Sequence, residues 1–249
     1  MQFAGLIIFA LNLLPLVYLQ RLLHREIQII FFLLTRSKPL TIALFSLLFL
    51  PGVLLHEASH YLTAKLLGVR TGRFTVIPQA VDRGLILGSV EVERTDILRD
   101  SLIGLAPIVA GTLFIAYVAV AQLRLDALWR VLQNGQMNLF FMGLGLLPRA
   151  PDFNLWFYLT FVVSSAMLPS ESDRHAWLPL GLWVGALLAA AVFAGAGAWM
   201  LANLAPFFDS LMRSVSLLIF LSNVVHLVLW LPLYLIRSLI VFFSDTDSL

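Results

Sequence analysis

Phe49-Leu50-Pro51-Gly52-Val53-Leu54-Leu55-His56-Glu57-Ala58-Ser59-His60-Tyr61-Leu62 is an apolar stretch broken by three ionisable side chains within five residues. It sits inside the longer apolar segment 39–68, which has the length of a bilayer-spanning helix, about 20 residues. Ionisable groups in such a segment each cost a few kcal/mol and mark function when they persist. His56 and His60 are four residues apart, so on a helix both imidazoles lie on one face and can bind one ion. Glu57, beside the first of them, is placed to act on a water there without binding the ion itself. With five histidines and five glutamates in 249 residues, chance would supply only about 0.002 such HExxH pentads.

The rest of the chain agrees with a lipid environment. Hydrophobic residues make up 60% and charged residues 12%, with mean hydropathy +0.93; ordinary globular proteins carry about 25% charged residues. That composition excludes a water-soluble enzyme, a disordered chain and a nucleic-acid binder. The expected class is an all-α polytopic (multi-pass) integral membrane protein embedded in the lipid bilayer. Without cysteine, any metal must be held by His, Asp or Glu.

Six segments are expected to span: 3–19, 39–68, 97–123, 152–170, 176–204 and 214–243. The first lacks a basic leader and an A-x-A site and reads as a retained membrane segment. Residues 20–38, with Arg21, Arg25, Arg36 and Lys38, read as an interfacial or partly inserted helix, and His24 as an interfacial residue. The short apolar run 139–147 reads as re-entrant or as an extension of the fourth span. Six crossings would leave eight Lys/Arg on each side, so charge does not set the orientation. Gly181, Gly185 and Ala189, with Gly195 and Gly197, read as a helix-packing stripe. His226, three residues after Asn223, reads as an interhelical hydrogen-bonding residue.

Between Val69 and Asp96 the helical pattern gives way to Thr71–Val76, a turn region at Pro78 and Asp82-Arg83-Gly84, and the alternating Gly88–Glu93. The expectation is a small membrane-associated β-hairpin. An exposed edge there could take an unwound substrate segment as an added strand, which makes Thr75, Val76, Val90 and Val92 candidate substrate-binding residues.

Two imidazoles leave zinc one protein ligand short of an open catalytic His₂-carboxylate site. Asp173, after the fourth span and beyond the helix-breaking Pro169, is one candidate; Asp152, Glu171 and His175 are others. The combination of Leu55-His56-Glu57-Ala58-Ser59-His60, a following hairpin and Met167-Leu168-Pro169-Ser170-Glu171-Ser172-Asp173 resembles the site-2 protease family of intramembrane zinc metalloproteases. The resemblance covers about residues 39–177. It implies a three-helix catalytic core there, flanked by 1–38 and by C-terminal spans in 178–249. It further implies a Zn²⁺ cofactor held by His56, His60 and Asp173, Glu57 as catalytic base, and single-span membrane proteins as substrates. The pattern departs from the family at Asp173, which precedes Arg174 where members carry Asp-Gly. The Pro-rich setting usual at that ligand is approached instead at Leu146-Leu147-Pro148-Arg149-Ala150-Pro151-Asp152. No Asn follows Pro107 on the middle core helix, so the oxyanion donor is unassigned. The alternatives are an inactive scaffold of the same fold or a metal or proton transporter, and the last two spans leave an oligomer open.

Overall fold

The computed structural model describes residues 3–81 and 84–246. Helix accounts for about 81% of the chain, and four helices among the described residues are long and apolar enough to cross a membrane. The protein is therefore an all-α integral membrane protein in class.

α1 runs unbroken over Ala4–Thr35, where the sequence reading divides it into a span and an interfacial helix. Leu16, Leu23, Ile27 and Ile30 are buried at helical spacing along one face of it, while Arg21 and Arg25 point outward. That continuous apolar stripe is what carries the helix through the charged stretch. Glu26 is buried on the same side and pairs with Arg237 at 3.0 Å. The His24 ring stands edge-on to Phe45 and Phe49, with centroids 5.3 and 4.6 Å away.

α2 spans Lys38–Leu66 and carries the HExxH segment. Four strands follow: β1 (Thr71–Thr75), β2 (Gln79–Val81), β3 (Gly84–Ile86) and β4 (Ser89–Val92). β1 pairs antiparallel with β4 (Phe74 opposite Val90, Thr75 opposite Ser89) and β2 with β3, forming two two-stranded ladders. Asp82 and Arg83 of the expected turn lie outside the described residues. α3 (Ile97–Tyr117) begins at Asp96, whose carboxylate caps the Arg99 N–H at 3.0 Å, and continues through a π-helical turn to Gln122. α4 (Leu125–Gln133) and α5 (Met137–Leu146) are short separate helices, so the 139–147 run neither crosses nor extends the next helix.

α6 (Phe153–Ala166) has 14 residues, a rise of about 21 Å, which is short for a hydrocarbon core of about 30 Å. Its second half, Thr160–Ser165, is buried on every side. It ends where Pro169 forbids a further turn, and the chain runs on as irregular backbone to Ala176. Phe161 and Val162 pack with Leu23, Ile27, Phe45, Phe49, Val53 and Val225, a core drawn from α1, α2, α6 and the last helix. Val76, Leu85 and Leu87 press on it from the strand region.

The C-terminal stretch divides differently from expectation. α7 (Trp177–Ala191) and α8 (Gly197–Thr246) meet at a π-helical turn, Val192–Ala196, in which Gly195 adopts φ +92°. That left-handed backbone suits glycine alone among common residues, so Gly195 makes a kink and does not serve packing. Gly181 and Gly185 have no other part of the chain near their Cα hydrogens; the small-residue stripe is not a contact within this chain. The polar positions at 204–214 fail to end a helix because Asp209 pairs with Arg213 at 2.7 Å and accepts the Gly5 N–H at 2.6 Å.

Gly52 lets α2 and α6 touch: a Cβ there would run into the Val162 carbonyl oxygen and lie 3.1 Å from the Ala166 Cβ. Because backbone cannot rotate aside, Gly52→Ala is expected to destabilise the protein by about 1–3 kcal/mol. A thermal midpoint measured in detergent should fall. An unchanged midpoint would show that the two helices are not in this contact.

Candidate metal centre

His56 and His60 occupy successive turns of α2 and reach across to the neighbouring helices. The His56 Nδ1 lies 2.7 Å from the Ala166 carbonyl at the end of α6, and the His60 Nδ1 2.9 Å from the Ile103 carbonyl on α3. A carbonyl oxygen can only accept, so each Nδ1 carries the ring proton and each Nε2 of a neutral imidazole is left with a bare lone pair. Those two Nε2 atoms are 3.2 Å apart.

The irregular segment after α6 brings Asp173 onto the same point. Its carboxylate oxygens lie 3.3 Å from the His60 Nε2 and 3.7 Å from the His56 Nε2. Ser170 fixes the carboxylate, donating to Oδ2 from both its backbone N–H and its hydroxyl at 2.7 Å. The approach depends on Gly104 of α3, where any Cβ would collide with the Asp173 carbonyl oxygen. Burial works to raise the Asp173 pKa, while the two hydrogen bonds from Ser170 work to lower it by favouring the ionised carboxylate.

Three electron-pair donors from two elements thus converge, with carbonyls behind the rings setting their tautomers. Donors that close repel one another unless a cation lies between them. Two ligand bonds of 2.0–2.1 Å at the tetrahedral angle would put their donor atoms about 3.3 Å apart, close to the separations seen. His56, His60 and Asp173 could therefore hold a metal ion, and the donor set fits one.

Glu57 is 8% exposed and shares a cavity of about 460 Å³ with the three donors. The chain entering β4 passes directly over it. A Cβ on Gly88 would come within 2.7 Å of Val53 and 2.9 Å of the Glu57 side chain. Val90 and Val92 line the cavity from β4. Thr75 and Val76 are not among its lining residues: Thr75 Oγ1 accepts the Ile77 N–H, and Val76 packs into the helix core.

The rival ligands separate cleanly. Asp152 precedes α6, about 21 Å from its other end by helix rise, and stands apart from the donor set. Glu171 does not line the cavity; His175 does, but is engaged by Asp100 at 3.2 Å. Asp100 also lines the cavity. In the sequence it reads as an acidic residue in the first turn of a helix, where the dipole alone accounts for it. Ser170 carries no signal either, since its role arises only when the chain folds back.

No protein family, curated protein or solved structure matches the chain.

Proposed function

We propose that the protein is a zinc-dependent intramembrane endopeptidase of the site-2 protease kind, hydrolysing peptide bonds in or near the transmembrane segments of single-span membrane proteins. The observation that carries this reading is the convergence of two imidazole Nε2 atoms and a carboxylate beside a buried glutamate. Three protein ligands with a position left open is the catalytic zinc pattern. The same ligand types serve non-haem iron, but Glu57 at the donor set favours hydrolysis.

When bound, zinc would acidify a water to a pKa of about 7 and polarise the scissile carbonyl. Glu57 accepts the proton of the attacking water and returns it to the departing amine nitrogen. His56, His60 and Asp173 are the residues that would hold the ion, and Ser170, Ala166 and Ile103 keep them aimed. A substrate helix must first unwind, because its own hydrogen bonds shield every peptide group. Among the described residues β4 is paired on one edge only, by β1. Its cavity side, at Ser89, Val90 and Val92, offers the unwound chain replacement partners by strand addition.

The test is cleavage of a single-span reporter by the full-length protein in proteoliposomes. Cleavage is expected to stop after stripping with a zinc chelator and to return with added Zn²⁺. Cleavage that persists in the stripped protein would overturn the reading.

A further inference from the structure

A second polar cluster lies behind the donor set, on helices that contribute no ligand. The last carbonyls of any helix have no partner within it, and in lipid no water replaces one. At the end of α6 the Ala166 carbonyl is taken by His56. The carbonyl next to it, on Ser165, is taken by the Gln20 side-chain amide of α1. The Ser165 hydroxyl lies 3.0 Å from the His226 Nε2 of α8. His226 Nδ1 donates to the Ser222 carbonyl at 2.8 Å, so its Nε2 accepts and the Ser165 hydroxyl donates. Ser165 is 2% exposed and His226 0%, with the His226 ring edge-on to Phe161 at 5.2 Å.

We infer that Gln20 and His226 are positioning residues for the metal centre: by gripping Ser165 from two sides they hold the final turn of α6, and with it the Ala166 carbonyl that orients His56. The inference rests on the metal reading proposed above. An aliphatic side chain at 226 would fill the space without needing a partner, and a buried ring with polar nitrogens in a membrane helix is costly enough to mark a role. Joining helices to one another is one such role. It would not explain why both bonds fall on the residue adjoining the ligand's own hydrogen-bond partner. If the grip is released, the last turn of α6 loses two of its anchors, and the His56 ring can turn away from the bond-forming direction.

The test uses the purified full-length protein in detergent. Zinc affinity is read by competition with a chelating dye, and ligand geometry by the visible absorption of the Co²⁺-loaded protein. Gln20→Met and His226→Leu are each expected to weaken zinc binding about tenfold, the scale of an outer-shell loss, and to alter the cobalt bands. His226→Gln, which keeps an acceptor for the Ser165 hydroxyl, is expected to recover most of the loss. Should His226→Leu fail to fold, Ser165→Ala removes the same hydrogen bond with little change of volume and carries the same expectation. Variants that melt earlier yet keep the parent affinity and spectrum would overturn the inference and leave only a joint between helices. A parent protein that binds no zinc, or a His56→Ala variant that binds it undiminished, would overturn the metal reading itself and this inference with it.

Discussion

Asp173→Ala is expected to empty the metal centre: zinc content of the purified protein should drop from about one per chain to near zero at micromolar metal. Losing even an outer-shell partner costs 10–100-fold in affinity, so loss of a ligand should exceed about 100-fold. Asp173 supplies the only anionic donor among the three, and without it two imidazoles on one helix are left to hold a dication. Asp152→Ala provides the contrast. Asp152 stands at the opposite end of α6 and contributes nothing to the donor set, so its zinc content should equal that of the parent. Metal analysis of the two variants decides the matter. Equal zinc in both would remove Asp173 from the site, and a loss confined to Asp152→Ala would transfer the ligand role.

Glu57→Gln is expected to do the reverse, keeping the metal and losing the chemistry. The substitution preserves shape and leaves the three donors untouched, so zinc content and thermal midpoint should stay at parent values. Reporter cleavage should fall by about 10²–10⁴, the usual contribution of a positioned proton-transfer group. The amide can still hydrogen-bond a water but cannot take its proton at neutral pH. Single-turnover cleavage in proteoliposomes separates the outcomes, because a defect in substrate entry would be relieved at high substrate and a missing base would not. Wild-type cleavage by Glu57→Gln would end the assignment of Glu57 as base. Loss of zinc in the same variant would place Glu57 among the ligands.

These two residues also show how differently the parts of the site can be read. Glu57 and the two histidines are legible because an i, i+4 spacing on a helix is a local rule that holds wherever the helix goes. The Asp173 carboxylate obeys no such rule. Four acidic or imidazole groups around α6 were candidates on spacing alone. The choice among them came from the early end of α6 and from Gly104, which admits the returning backbone. Thr75 and Val76 show the opposite failure. A strand pattern says which residues alternate, but not which strand of a pair faces a cavity, and here β4 takes the inner place. Helix boundaries in lipid were the least legible of all. Charge at Arg21, Arg25, Asp209 and Arg213 suggests breaks in water-facing terms, yet α1 and α8 run through: Arg21 and Arg25 point outward, buried Glu26 pairs with Arg237, and Asp209 pairs with Arg213 and the Gly5 N–H.

Composition alone determined that the chain lives in a bilayer, since so few charged groups cannot cover so much apolar surface in water. The spacing of His56, Glu57 and His60 alone determined that two imidazoles and a carboxyl group share a helical turn. Only the tertiary structure decided that Asp173 completes the donor set, that carbonyls of α3 and α6 fix both ring tautomers, and that α1 and α8 brace the end of α6. The reason is physical. Periodicity follows from backbone geometry within a few residues, whereas convergence of distant groups depends on how closely helices can approach, and that is set by single glycines and by the polar partners left over at helix ends.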